Sequence, residues 1–277
     1  MKNASFTSKK SLGQNFLIDN NIAKKIVGFL ELKENDLVVE IGPGKGKLTE
    51  FLIRLPIFYI GVEIDKMLCH ELEGLFSDSQ RYKIINQDFL EFNEEYFSNI
   101  FGKKIILVGN IPYYLTSPIL FKFLDNRFSY EKAVLMVQRE VGERIVAKPK
   151  TKEYGTLSVL LQYFTKPRKL ISVPPQCFSP VPKVYSTVVS LEVLQDRIEY
   201  PNYSILKQVV RKAFNQRRKM LLNSLFKRLG IGELLSELDP VLKSFFMKRA
   251  EELSPNDFEV LVNILVNNYY EYVQNIN

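Results

Sequence analysis

The residues best suited to chemistry in this sequence are Asn110-Ile111-Pro112-Tyr113, which follow directly on the apolar run from Ile105 to Val108. An amine conjugated to an aromatic ring, such as the exocyclic amine of adenine, is a poor nucleophile because its lone pair is delocalised into the ring. A general base nearby does not cure that. A carboxamide oxygen and a backbone carbonyl can accept its two N–H bonds and leave the lone pair available for attack. Asn110 offers the first acceptor, and the carbonyl of Ile111 or Pro112 the second. Tyr113 offers a ring on which the base can stack, a contact worth roughly 1–3 kcal/mol in single-strand binders. Phe178, aimed by a loop that Pro180 and Pro182 hold extended, is expected to form the opposite wall. A target nitrogen buried in a stacked helix or loop must be splayed or flipped into such a slot. A plain strand-to-helix turn, in which Asn caps, Pro starts the helix and Tyr packs, explains the same four residues without chemistry. Context decides between the two.

That context is a series of apolar strands, each ending in a polar group. Leu37 to Gly46 (LVVEIGPGKG) reads as a buried strand, closed by Glu40, that feeds a tight turn into a helix starting near Lys47. Gly42, Gly44 and Gly46 let the backbone bend and a ligand approach closely. A second strand, Ile57 to Val62, ends in Glu63 about twenty residues past the glycines, where nucleoside-binding α/β folds place an acid on a ribose. A third, Tyr82 to Ile85, ends near Asp88, and the fourth delivers Asn110. Four polar residues at the carboxyl edge of one sheet outweigh the bland reading of a Gly-rich turn alone, since open α/β sheets bind ligands at that edge.

The flanking segments complete an α/β unit. Asp19 or Asn20 is suited to cap a helix carrying Ile22, Ile26 and Leu30, and further helices are expected near Lys47–Arg54, Lys66–Phe76 and Ser117–Asp125. Ala133–Gln138 reads as a fifth strand, followed by a helix from Arg139 to about Ala147. Leu157–Tyr163 and Lys169–Val173 are apolar segments, and Val184–Leu191 alternates as a last strand, suited to antiparallel pairing. After Gln195 the strand signals stop, and Asn202–Leu229, Gly232–Leu238 and Pro255–Tyr272 read as helices. The expected boundary separates an α/β domain, residues 1–198, from a small helical one, 199–277.

Composition narrows the class. At 277 residues and 46% apolar the chain supports a real core. Its apolar runs are too short to span a membrane, and no signal-peptide pattern stands at the start, so a cytoplasmic protein is expected. Cys69 and Cys177 are far apart and read as packed free thiols, and His70 is the only histidine, which argues against a metal centre. The net charge is +7, and Ser204–Gly230 alone carries eight Lys and Arg with no Asp or Glu, so the rest is close to neutral. Read as one helix, that segment puts Arg211 with Arg218 and Lys212 with Lys219 on a single face. A cationic face without balancing acids suits phosphate contacts better than solubility alone.

Together these motifs resemble the ribosomal RNA adenine N6,N6-dimethyltransferases, and within them the small-subunit branch, over nearly the whole chain. The resemblance rests on Gly13-Gln14-Asn15-Phe16-Leu17, Glu40-Ile41-Gly42-Pro43-Gly44, Glu63, Asp88-Phe89, Asn110-Ile111-Pro112-Tyr113, Phe178 with Pro180-x-Pro182-Lys183-Val184, and Ala213-Phe214-x-Gln216-Arg217-Arg218-Lys219. It implies a Rossmann-like methyltransferase sheet with a small all-helical C-terminal domain, and S-adenosylmethionine as cofactor. By the same resemblance Asn15 and Leu17 would close over the cofactor, the Gly42 turn would pass beneath it, Glu63 would bind its ribose and Asp88 its adenine amine. Asn110 would face the methyl group, with Pro112, Tyr113 and Phe178 completing the catalytic set. Arg211, Arg217, Arg218 and Lys219 would bind RNA. The implied reaction is double methylation of two adjacent adenosines in a hairpin near the 3′ end of 16S rRNA. The implied partner is that RNA within an immature small ribosomal subunit, met by a monomer without metal or membrane. Asn110-Ile111-Pro112-Tyr113-Tyr114-Leu115-Thr116 leans instead toward the 23S rRNA methylases of macrolide resistance, and Tyr185 stands where the family commonly has an acid. Arg217-Arg218-Lys219 ending in Asn223-Ser224-Leu225 leans back to the small subunit. A non-catalytic assembly factor on the same fold is the remaining alternative.

Overall fold

A computed structural model describes residues 15–74, 80–230 and 240–274. The chain folds as two compact units, one of residues up to Gly142 together with Lys166–Val193, the other of Glu143–Thr165 together with the described residues from Leu194 onward.

The first unit is built on a seven-stranded sheet. Its parallel strands are β2 (Leu37–Ile41), β3 (Phe58–Glu63), β4 (Tyr82–Asn86), β5 (Ile105–Asn110) and β6 (Tyr130–Gln138), in the spatial order β4-β3-β2-β5-β6. Every residue of β2 is buried, as expected of a central parallel strand covered on both faces. The order reverses at β2, whose neighbours are β3 on one side and β5 on the other. That crevice is where such sheets bind ligands. Two more strands, β7 (Thr165–Val173) and β9 (Ser186–Val193), extend the sheet beyond β6, with β9 antiparallel to it as the alternation of Val184–Leu191 suggested. A separate two-stranded ribbon pairs β1 (Phe16–Leu17) with β8 (Phe178–Ser179).

Capping explains where the helices begin. Asp19 starts α1 (Asn20–Gly28) by accepting from the Asn21 and Ile22 N–H groups at 2.8 and 3.0 Å, and Asp65 does the same for Met67 at the head of α3 (Lys66–Glu73). The helix α2 is shorter than expected, Thr49–Leu52. A helix the sequence reading missed, α4 (Glu94–Phe101), is capped by Asn93 and stops at Gly102, whose φ of +60° suits glycine. Helix α5 (Thr116–Asp125) follows β5, and α6 (Arg139–Ile145) follows β6.

The second unit is helical. Its α7 (Thr156–Phe164) forms from the apolar segment Leu157–Tyr163 and packs with α8 (Tyr203–Asn215) and α10 (Pro255–Asn268). Phe214 joins this core against Tyr154 and Phe258, at ring separations of 6.0 and 6.1 Å. Among the described residues the remaining α-helices are α9 (Pro240–Phe246) and α11 (Tyr270–Gln274). Ser254 and Asp257 form a reciprocal cap on α10, and Pro255 opens it. Because α7 packs against α8 and α10, residues 143–165 belong with the helical unit. A single cut after residue 198 therefore does not describe the compact units. The expected continuous helix Asn202–Leu229 also breaks: α8 ends at Asn215, Gln216 leaves the helical region at φ −128° and ψ 56°, and wider and tighter turns cover Leu222–Leu229. The predicted helix at Gly232–Leu238 lies outside the described residues.

Candidate active site

Across the carboxyl ends of β2 to β5 runs one cavity, and it collects Asn15, Gly42, Glu63, Asp88, Asn110, Pro112 and Tyr113. These come from five separate stretches of chain, and the sheet order is what assembles them.

The glycine turn after β2 is held open by Glu63. Gly42 and Gly44 have φ of +56° and +59°, where a side chain would be strained, and a Cβ on Gly44 would come within 3.0 Å of the Phe16 ring. Glu63 is buried, accepting from the Gly44 N–H through Oε2 at 3.0 Å and from the Asp65 N–H through Oε1 at 3.0 Å. Burial raises its carboxyl pKa above the usual value, partly offset by these backbone donors. Asp88 caps the short turn Phe89–Glu91 by accepting from the Leu90 N–H through Oδ1 at 2.8 Å. A carboxylate oxygen accepts more than one hydrogen bond, so both acids keep acceptor capacity toward the cavity they line.

Asn110 is oriented by a contact that spans the chain. Its Nδ2 donates to the Asn15 carbonyl at 2.8 Å. A carbonyl can only accept, so the amide nitrogen must face Asn15 and Oδ1 is turned away as an acceptor. Gly109 lets β5 lie close to β2 just before this residue, since a Cβ there would sit 2.8 Å from the Ile41 carbonyl oxygen. The Ile111 N–H is tied to the Met136 carbonyl at 3.0 Å, and the Pro112 carbonyl accepts from Leu115 N–H at 2.9 Å. The Tyr113 hydroxyl meets Ser186 Oγ at 3.2 Å, and its ring lines the cavity beside the exposed Tyr114.

A match to the family model for ribosomal RNA adenine dimethylase covers residues 5–265. The chain belongs to the ribosomal RNA adenine dimethylase family. Proteins named ribosomal RNA small subunit methyltransferase A are among its relatives. One from Francisella tularensis subsp. tularensis (strain WY96-3418) is 41% identical over 93% of this chain and 97% of its own length. Another, from Geobacillus sp. (strain WCH70), is 40% identical over 94% and 92%. Of solved structures, a dimethyladenosine transferase from Plasmodium falciparum matches with a TM-score of 0.75 at 27% identity, covering 91% of this chain and 97% of that one. The 23S rRNA methyltransferase ErmE matches at 0.67 and 25%, covering 91% and 99%. As a ribosomal RNA adenine dimethylase, the chain is an S-adenosylmethionine-dependent enzyme that dimethylates adenine in ribosomal RNA.

In this dimethylase the cavity fits such a cofactor: positive-φ glycines leave room beneath it, and paired acids and an exposed apolar edge at Ile64 flank it. Two predicted residues are placed elsewhere. Leu17 points into the core because strand neighbours alternate, and it is Phe16 that lines the cavity and lies over Gly44. Phe178 pairs with Leu17 in the ribbon and is packed in the same core at 2% exposure, so it does not wall the cavity. The aromatic walls are Phe16, Phe89, Tyr113 and Tyr114. Phe16, Phe89 and Tyr114 stood inside the motifs without an assigned role, and Gln87 and Leu90 were legible only as neighbours of Asp88. Gly13 and Gln14 of the first motif lie outside the described residues.

The proposed RNA-binding set divides as well. Arg217 is turned into the helical unit: its Nε donates to Glu251 Oε2 at 2.7 Å, and its guanidinium also donates to the Thr151 carbonyl at 2.5 Å and to that of Lys152. Arg211, Arg218 and Lys219 are exposed, but the helix ends between them, so Arg211 and Arg218 do not share a helical face.

Proposed function

We propose that this dimethylase modifies two adjacent adenosines in a hairpin near the 3′ end of 16S rRNA, in an immature small subunit, acting in the cytoplasm as a monomer and without metal. The observation that carries the target is the identity of 40–41% to proteins named for the small subunit, along nearly their whole length, against 25% to the 23S rRNA methyltransferase. The domain roles follow the same reading but are carried by the compact units and not by a cut at 198: the unit of residues up to Gly142 with Lys166–Val193 binds the cofactor and catalyses, and the helical unit contributes to RNA binding. No helix among the described residues is long and apolar enough to cross a membrane.

The residue roles rest on the cavity. S-adenosylmethionine, when bound, supplies an electrophilic methyl group on a sulfonium sulfur. The Gly42–Gly44 turn, Glu63 and Asp88 would hold its methionine, ribose and adenine portions, with Asn15 and Phe16 covering them. Asn110 Oδ1 would then accept one N–H of the target amine, and a carbonyl of Ile111 or Pro112 the other, which would leave the nitrogen lone pair available for methylation. Tyr113 stacks on the flipped base, fixed through its hydroxyl by Ser186. The test is methyl transfer from labelled cofactor to unmethylated small-subunit particles and, separately, to large-subunit RNA, followed by nucleoside analysis. Dimethyladenosine from small-subunit particles alone is expected. Product only from large-subunit RNA overturns the target.

A further inference from the structure

Beyond the slot for the target base, a second aromatic group stands on the same edge of the sheet. β6 and β9 pair so that Gln138 faces Ser186, which puts Arg139 and Tyr185 one residue past the last paired position. The Arg139 N–H donates to the Tyr185 carbonyl at 3.0 Å, and the Arg139 guanidinium lies 5.6 Å from the centre of the Tyr185 ring. The next residue, Ser186, holds the Tyr113 hydroxyl at 3.2 Å. Consecutive Cα atoms are only ~3.8 Å apart, so the Tyr185 ring is anchored one residue from the group that fixes the target-base platform. Its base is rigid: Gly142 of α6 packs so tightly on β9 that a Cβ there would overlap the Thr187 methyl group. Yet Tyr185 is 46% exposed, a large aromatic side chain that the core does not bury.

Flipping an adenine out of its stack leaves the neighbouring base without one of its partners. An exposed ring backed by a guanidinium suits that base, because aromatic stacking tolerates any base and the cation adds attraction for the strand. The geometry points to Tyr185, backed by Arg139, as the stacking platform for the nucleotide immediately flanking the target adenosine. It thus sets how the strand is held while the target occupies the Tyr113 slot. The inference rests on adenine in ribosomal RNA as the substrate, but not on which subunit supplies it.

The experiment uses the full chain and whichever substrate yields dimethyladenosine with the wild type, small-subunit particles reconstituted with the altered RNA or large-subunit RNA. A wild type active only on large-subunit RNA therefore defeats the target reading and leaves this test standing. Each flanking nucleotide is replaced in turn by an abasic one, and KM for RNA, kcat and cofactor affinity are measured for wild type, Tyr185→Ala and Tyr185→Phe. Tyr185→Ala is expected to raise KM about tenfold, with cofactor affinity unchanged and Tyr185→Phe close to wild type. One abasic position should raise the wild-type KM by a similar factor and have no further effect on Tyr185→Ala. Equal sensitivity of wild type and Tyr185→Ala to both abasic positions overturns the proposal, as does a wild-type KM for Tyr185→Ala.

Discussion

At the scale of single residues, the proposed chemistry depends on which way one carboxamide faces. Asn110 is held by the Asn15 carbonyl through its nitrogen, so its oxygen remains the acceptor an adenine amine needs. Alanine at this position removes the acceptor but leaves Tyr113, Glu63 and the glycine turn in place. The predicted result is a fall in single-turnover methyl transfer of about 10²- to 10³-fold, the size seen when one positioned polar group is lost from an active site, with RNA and cofactor affinities within about twofold. Aspartate is predicted to be no better, because it cannot donate to the Asn15 carbonyl and brings a charge toward it. Undiminished transfer by Asn110→Ala would remove the proposed role. The sequence made Asn110 legible because its type and its place after a buried strand both carry information. It did not separate Phe16 from Leu17, since a two-residue strand has no visible period. Nor did it show that Phe178 turns inward, which follows from antiparallel pairing with Leu17 across a separation no local pattern reports.

At the scale of elements, the carboxyl edge is held together by a buried polar cluster behind the glycine turn. Glu40 of β2 accepts from Thr49 Oγ1 of α2 at 2.8 Å and from the Tyr59 hydroxyl of β3 at 2.7 Å. Burial pushes its carboxyl from the usual 4.5 up to about 7, despite the two hydroxyl donors that favour the charged form. A raised carboxyl pKa means that the folded state keeps a proton the unfolded chain has already released. Stability from this group is therefore fully present below about pH 4.5 and is lost as pH rises toward 7. Urea denaturation of wild type and Glu40→Gln at pH 5 and at pH 7.5 tests this. The wild type should lose stability relative to the variant across that interval, by roughly 3 kcal/mol at most, and a constant difference would show that Glu40 does not titrate there. The strands of this edge were legible because buried parallel strands read as short apolar runs. Helix α4 was not, since its signal is a single Asn93 cap with two acids behind it. The break after Asn215 escaped for a related reason: Gln216-Arg217-Arg218-Lys219 contains no Gly or Pro, and the chain turns there because Arg217 is drawn to Glu251 and the carbonyls of Thr151 and Lys152.

At the scale of the whole molecule, that turn changes how the positive charge is to be understood. The net charge of +7 is concentrated between Ser204 and Gly230, yet the cations there do not act alike. Arg217 is two-thirds buried and joins the 151–152 loop to Glu251 within the helical unit, whereas Arg218 and Lys219 are exposed. Replacing Arg217 by alanine leaves backbone carbonyls and a carboxylate without their donor, which is predicted to lower stability by about 1–3 kcal/mol and to appear first as a reduced Tm. Replacing Arg218 or Lys219 removes a charge with no such internal role. Each is predicted to leave Tm within about a degree while weakening rRNA binding, and to reduce the slope of log affinity against log salt by about one. Thermal melts of the three variants, with binding measured from about 50 to 200 mM salt, separate the two roles. A salt slope unchanged in Arg218→Ala and Lys219→Ala, or a stability loss equal to that of Arg217→Ala, would mean that this turn is part of the helical unit's architecture and that the RNA is held elsewhere on the molecule.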